Sequence, residues 1–313
     1  MRFSVDPWDP GYGAAMDAEA MEPSTAAVDV NVEVPAAQWA PLSPNGVVAP
    51  ERVRFIDGVR RIDARVWITR ADGTVRPGIA ASYAAGVVCC QDAAKVERCE
   101  VRRGLFCSDP DAEAIRTRSG EYTPGLADGD GIDVLTAALQ QSMRSLERLV
   151  AASVDDAQLT VVDGPLSRPS VPGAIGYVKT HQRSYLPAEL TSVVEGLAVG
   201  ERTPLFLTTT KETRYSWYAR LPGERGHAWS GVVRGEAPDE LAVTDAAALA
   251  DMATATLPTY ASMAHKDPRA PQNLYPVAEL ERTLRRHLGD PALLYRGLRL
   301  AAASPQPPGS AGE

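Results

Sequence analysis

No stretch of this sequence stays apolar for long. The longest weakly polar run, "GIAASYAAGVVCC" at 78–90, falls short of the ~20 apolar residues that a bilayer span requires. The opening "MRFSVDPWDP" lacks the apolar core of a signal peptide, so the expected location is the cytoplasm and no membrane partner is expected. Cysteine is scarce: Cys89, Cys90, Cys99 and Cys107 are the only four, and no C-x-x-C pair joins them. That pattern leaves a disulfide or zinc site open but, without the tight spacing of Cys-type zinc sites, favours reduced, structural thiols. The four histidines, His181, His227, His265 and His287, have no metal-ligand spacing. There is no G-x-x-x-x-G-K-[ST], hence no P-loop ATPase of its own, and neither a G-x-S-x-G elbow nor an H-E-x-x-H zinc helix occurs.

A basic excess is also missing. The net charge is −8, which argues against a generic nucleic-acid coat. The deficit is uneven, however. Residues 1–50 hold seven acidic side chains and one basic, a net of −6, so the remainder is close to neutral. Nucleic acid therefore stays open as a substrate, provided that basic groups or metal ions are local to a cleft.

The chain of 313 residues, 44% hydrophobic, suffices for a large core. Its organisation reads as a flexible acidic arm (1–27), one mixed α/β domain (28–303) and a Pro/Gly-rich tail (304–313). "VDVNVEVP" (28–35) alternates Val with polar residues, as an edge strand does, and such an edge also offers a docking site. "RVRFIDGVRRIDARVWIT" reads as two strands joined at Asp57–Gly58, with "PGIAASYAAGVVCC" as a third; residues 108–131 read as a loop. Leu135, Leu139, Met143, Leu146 and Val150 predict an amphipathic helix over Ile132–Ala152. "LTVVDGPL" and "GAIGYVKTH" read as strands, "LPAELTSVVEGL" as a short helix, and "TPLFLTTT", "RYSWYARLP" and "WSGVVRGEAP" as further strands. Three more helices complete the reading: one ending at Pro258, then "YPVAELERTLRRHLGD" and "PALLYRGLRLAA".

Two of these segments share one grammar. "FIDG" and "VVDG" are apolar runs ending in a carboxylate followed by glycine, at Asp57 and Asp163. If the strands are neighbours, the two carboxylates meet at their ends, where they repel unless a cation neutralises them; hard divalent ions with oxygen ligands answer that need. Each Asp-Gly pair alone is equally readable as a turn cap. Glu147 neighbours the buried stripe of the 132–152 helix and is a third carboxylate facing the sheet, or else a boundary residue paired with Arg144 or Arg148.

In order, "FIDG", "MRSLERL", "VVDGPL", "GYVKTHQRSYL", "VVRGEAP" and "YPVAELE" resemble the NurA nuclease family over about residues 28–290. The resemblance implies a ribonuclease-H-like mixed sheet flanked by helices. It implies that Asp57, Glu147 and Asp163 hold Mn2+ or Mg2+ and that Lys179 meets a phosphate. The family's late ligand, commonly a histidine on a C-terminal helix, has no direct counterpart; His265, Asp267, Glu279 and Glu281 are the candidates. The implied activity is a metal-dependent DNA exonuclease and single-strand endonuclease acting as a homodimer. Its partner is a HerA-type hexameric ATPase, in DNA end processing or defence against foreign DNA. Such hydrolysis needs an activated water and a counter to charge on the leaving oxygen, which two divalent ions about 4 Å apart supply. Arg60, Arg61, His181 and Trp217 are candidate DNA contacts, Trp217 being equally readable as core. The alternatives are a catalytically inactive module of the same core that docks a motor ATPase, and a ribonuclease or resolvase.

Overall fold

A computed structural model describes residues 22–70, 72–154, 157–181, 183–223 and 226–303. The expectations for residues 1–21 of the acidic arm and for the 304–313 tail lie outside the described residues. The protein is mixed α/β, with a large mixed sheet flanked by helices. Among the described residues no helix is long and apolar enough to cross a membrane.

In chain order the strands are β1 (Glu22–Pro23), β2 (Ala27–Asp29), β3 (Val53–Thr69), β4 (Val75–Cys90), β5 (Ala94–Cys107), β6 (Ile115–Thr117) and β7 (Gly120–Leu126). Helix α1 (Ile132–Ala152) follows, then β8 (Leu159–Asp163), β9 (Ala174–Val178), β10 (Arg183–Ser184) and α2 (Ala188–Gly196). The chain continues with β11 (Phe206–Thr209), β12 (Thr213–Arg220), β13 (Val232–Pro238), α3 (Val243–Thr256), α4 (Tyr275–His287) and α5 (Pro291–Ala303). Helix α1 has the predicted bounds, because Leu135, Leu139, Leu146 and Val150 recur on one face and are all buried.

The structure divides into two compact units. One takes its described residues from Met1–Asp57, Val87–Glu97 and Ala151–Leu280, the other from Gly58–Gly86, Arg98–Val150 and Glu281–Glu313. In the first unit the strand order is β2-β11-β12-β13-β9-β8-β3. The pairs from β2 to β9 are antiparallel, whereas β9, β8 and β3 run parallel. Helix α2 covers an apolar cluster of Trp39, Leu190, Val194, Phe206, Tyr218 and Trp229. In the second unit the order is β3-β4-β5-β7-β6, with α5 against β6. There Asp63, enclosed beside Tyr122, accepts from Ser82 Oγ (2.5 Å), Arg61 Nε (2.9 Å) and the Tyr122 hydroxyl (3.0 Å).

Three sequence expectations need correction. Asp57–Gly58 does not join two strands; β3 is continuous through it for 17 residues. Gly58 is required for a close approach instead, since a Cβ there would collide with Glu147 Oε1 and meet Met143 Cγ at 3.0 Å. The chain turns at Asp72–Gly73, where Asp72 Oδ1 accepts from Thr74 N (2.9 Å) and Gly73 has φ +81°. The alternating 28–35 stretch keeps only the end of β2. Asp29 Oδ1 accepts from Asn31 N and Asn31 Oδ1 from Ala36 N, both at 2.9 Å, and these local side-chain bonds replace a ladder. Residues 108–131 are not wholly loop, since they contain β6 and β7.

Candidate active site

The site grows from the parallel pairing of β3 and β8. Their register matches Val53 with Leu159, Phe55 with Val161 and Ile56 with Val162. Asp57 and Asp163 are the next residue on each strand. Partners in a parallel register share a face, and neighbouring strands lie ~4.8 Å apart, so the two residues stand side by side, Asp163 at the carboxyl end of β8 and Asp57 inside the longer β3. The strands reach this point because Leu159, Val161, Phe55 and Ile56 are almost wholly buried and fix the register. The carboxyl end of a parallel strand, which Asp163 occupies on β8, is where α/β sheets place ligands.

After Asp163 the chain bends at Gly164 (φ +102°), which exchanges backbone hydrogen bonds of 2.8 and 2.9 Å with Tyr177 on β9. This crossing sets Lys179, two residues beyond Tyr177, against Asp163. Lys179 Nζ donates to Asp163 Oδ2 at 2.6 Å and to Asn273 Oδ1 at 3.0 Å. Asn273 Nδ2 in turn donates to Asp267 Oδ2 at 2.6 Å. The same segment is pinned by the Tyr177 hydroxyl, which donates to the Gln272 carbonyl at 2.5 Å. Burial, and secondarily the charge of Asp163, push the Tyr177 phenol well above its ordinary range, so it stays protonated. Asp163 Oδ1 is buried and has no hydrogen-bond partner among the described residues. One carboxylate oxygen is thus committed to the lysine and the other is left over.

Beside this chain opens a cleft of about 550 Å³, lined in part by Asp163, Lys179, Arg183, Tyr185 and Arg234. The volume lies within the ~300–1,000 Å³ typical of small-ligand sites. Arg234 on β13 is 7% exposed; its Nη2 donates to Glu236 Oε1 at 2.8 Å, and its guanidinium stacks over the Tyr185 ring at 4.2 Å. Glu236 Oε2 accepts from the Leu166 amide at 2.9 Å, which ties the loop after Asp163 to the sheet.

The remaining predicted site residues fare differently. Asp267 is buried and reaches the cluster through Asn273, whereas His265 and Glu279 are exposed. Glu281 pairs with Arg285 at 2.7 Å in the second unit. Of the four late-ligand candidates, only Asp267 is brought to the lysine. His181 is not a charged DNA contact: it is 4% exposed, its Nε2 donates to the Val232 carbonyl at 2.9 Å, and Tyr218 and Trp229 flank its ring. Burial above all, with the nearby Arg234 charge, lowers its pKa to about 4, which leaves it neutral near pH 7. Trp217, 1% exposed against Gly235, is core and no stacking platform. Arg60 and Arg61 lie in the second unit, where Arg60 Nε donates to Gln140 Oε1 (2.6 Å) and Arg61 Nη1 to the Gly289 carbonyl (2.9 Å). Glu147 is also in that unit, buried on α1 above Gly58.

Sequence reasoning missed Asn273, Arg234 and Tyr185. "PQNLYP" looks like polar loop, and only its complete burial marks Asn273 as a structural link. Arg234 and Glu236 alternate as an exposed strand face would, and their mutual pairing is what permits burial.

The donor set suits a hard divalent cation in part. Two carboxylates at adjacent positions of paired parallel strands, one with an orphaned buried oxygen, are the oxygen ligands that Mg2+ or Mn2+ take. Among the described residues, however, no group of three or more His, Cys, Asp or Glu side chains is arranged to hold a metal ion. The cysteines are not ligands in waiting. All four are free, and burial raises every one of their thiols, Cys90 to about 11. The chain matches no protein-family model and no curated protein.

Proposed function

We propose that this chain is a divalent-metal-dependent deoxyribonuclease of the NurA type, built on a ribonuclease-H-like core. The observation that carries the reading is the register of the parallel strands β3 and β8, which places Asp57 beside Asp163, with one Asp163 oxygen orphaned and the other on Lys179. A buried carboxylate oxygen without a partner is costly unless something binds it. Asp57 and Asp163 would hold Mn2+ or Mg2+; Glu147 enters from the sequence resemblance alone. A divalent ion in such a site lowers the pKa of water and counters charge on a phosphoryl oxygen.

The chain's own residues do the rest. Lys179 is a fixed cation beside the carboxylates, where it neutralises a phosphate's negative charge. Asn273 and Asp267 hold the lysine in place, so little reorganisation is needed when substrate arrives. In this reading the protein works in the cytoplasm on single strands and ends of DNA, as a homodimer fed by a HerA-type ATPase.

One observation favours a second reading. Lys179 already neutralises Asp163, and a structural ion pair at a turn needs no metal. The chain would then be a catalytically inactive module that docks a motor ATPase. Crystals soaked in manganese separate the two. The nuclease reading expects an anomalous peak beside Asp57 and Asp163; its absence at saturating manganese, with DNA bound, would leave only the inactive module.

A further inference from the structure

The cleft beside Asp163 holds an arginine whose hydrogen-bonding capacity is not filled. Arg234 is ion-paired with Glu236 through Nη2 and lies over the Tyr185 ring, but its buried Nε has no hydrogen-bond partner among the described residues. Arg183, on the short strand β10, lines the same cleft and is exposed. A buried donor left unpaired costs free energy unless a ligand completes it, and a guanidinium fork is matched by phosphate oxygens.

We propose that Arg234 and Arg183 form a subsite for a terminal phosphate, so that the protein distinguishes a phosphorylated DNA end from a hydroxyl end. A phosphomonoester carries ~1.5–2 negative charges and three acceptor oxygens near pH 7, against one charge on an internal diester. Two arginines at one cleft, one of them held over an aromatic ring, suit the dianion better than the monoanion. The idea rests on the nuclease reading for its substrate and deepens it. The end enters the cleft with its phosphate on the arginines and its first diester toward Asp163.

The test is fluorescence anisotropy with short single-stranded oligonucleotides bearing a 5′-phosphate, a 3′-phosphate or hydroxyl ends, in EDTA so that no cleavage occurs. The expected result is about tenfold tighter binding of one phosphorylated end, which also assigns the polarity. Arg183→Ala, at an exposed position, should abolish the preference; Arg234→Lys should weaken it, both variants being checked by their melting curves. Equal affinity for all three ends, or a preference that survives both variants, would overturn the proposal. Because the readout involves neither metal nor turnover, that outcome would leave the nuclease reading standing. An intact end preference in a protein that never cleaves DNA would count against the nuclease reading alone.

Discussion

Lys179 and Asp163 are joined at 2.6 Å across neighbouring parallel strands, and the bond occupies only one of the two carboxylate oxygens. The lysine is further bound by Asn273, which Asp267 holds. The end of β8 thus meets a cation that the chain itself supplies and carries a carboxylate oxygen with no hydrogen-bond partner among the described residues.

Asn273 is the link whose loss should be felt furthest from its position. In Asn273→Ala, Lys179 Nζ and Asp267 Oδ2 each lose a partner in a buried setting. Urea unfolding should show a loss of about 1–3 kcal/mol. Asn273→Asp would instead place a second carboxylate beside Asp267 and should be worse than the alanine. Equal stability of wild type and both variants would mean that the amide is not part of the site's support.

His181 gives a pH signature. Its folded pKa, about 4, lies below the ordinary 6.5, so the unfolded chain takes up the proton first as pH falls. The associated stability is complete above about pH 6.5 and is lost progressively toward pH 4, on the order of 3 kcal/mol in all. His181→Gln keeps a donor for the Val232 carbonyl and does not titrate. Its melting temperature should fall less than that of wild type between pH 6.5 and 5; parallel curves would contradict the assignment.

Gly58 and Glu147 should be coupled within the second unit. Gly58→Ala adds a methyl where Glu147 Oε1 and Met143 already stand, and overpacking of this kind costs about 1–3 kcal/mol. Pairing it with Glu147→Ala removes the obstruction, so the double variant should lose less than the two single losses added together. Additive losses would show that the two side chains do not meet.

The end of β8 at Asp163 and helix α1 were legible because their signals are local. An apolar run ending at Asp-Gly marks a strand end at Asp163, though not at Asp57, and apolar residues at three- and four-residue spacing mark a buried helix face. The length of β3 was not legible, since Asp57–Gly58 carries the same letters as the true turn at Asp72–Gly73. What differs is the tertiary neighbour: Glu147 over one glycine, and a left-handed φ at the other. Strand β5, full of charge in "AKVERCEVRR", gave no apolar alternation to read. Asn273 and Arg234 were hidden because a buried polar residue differs from an exposed one only in its partners, which lie far away in sequence. Trp217 shows the converse: an aromatic in a polar-looking strand is ambiguous until its burial is known.

The central claim is that Asp57 and Asp163, side by side on β3 and β8, carry metal-dependent hydrolysis of DNA. The most direct measurement follows cleavage of an end-labelled single-stranded oligonucleotide by wild type and by Asp163→Asn, with and without Mn2+. The account predicts cleavage by wild type only when the metal is present, and a rate at least about 100-fold lower in the variant, in line with the loss of a group acting directly at a reaction centre. Cleavage by Asp163→Asn at the wild-type rate, or by wild type in EDTA, would contradict it.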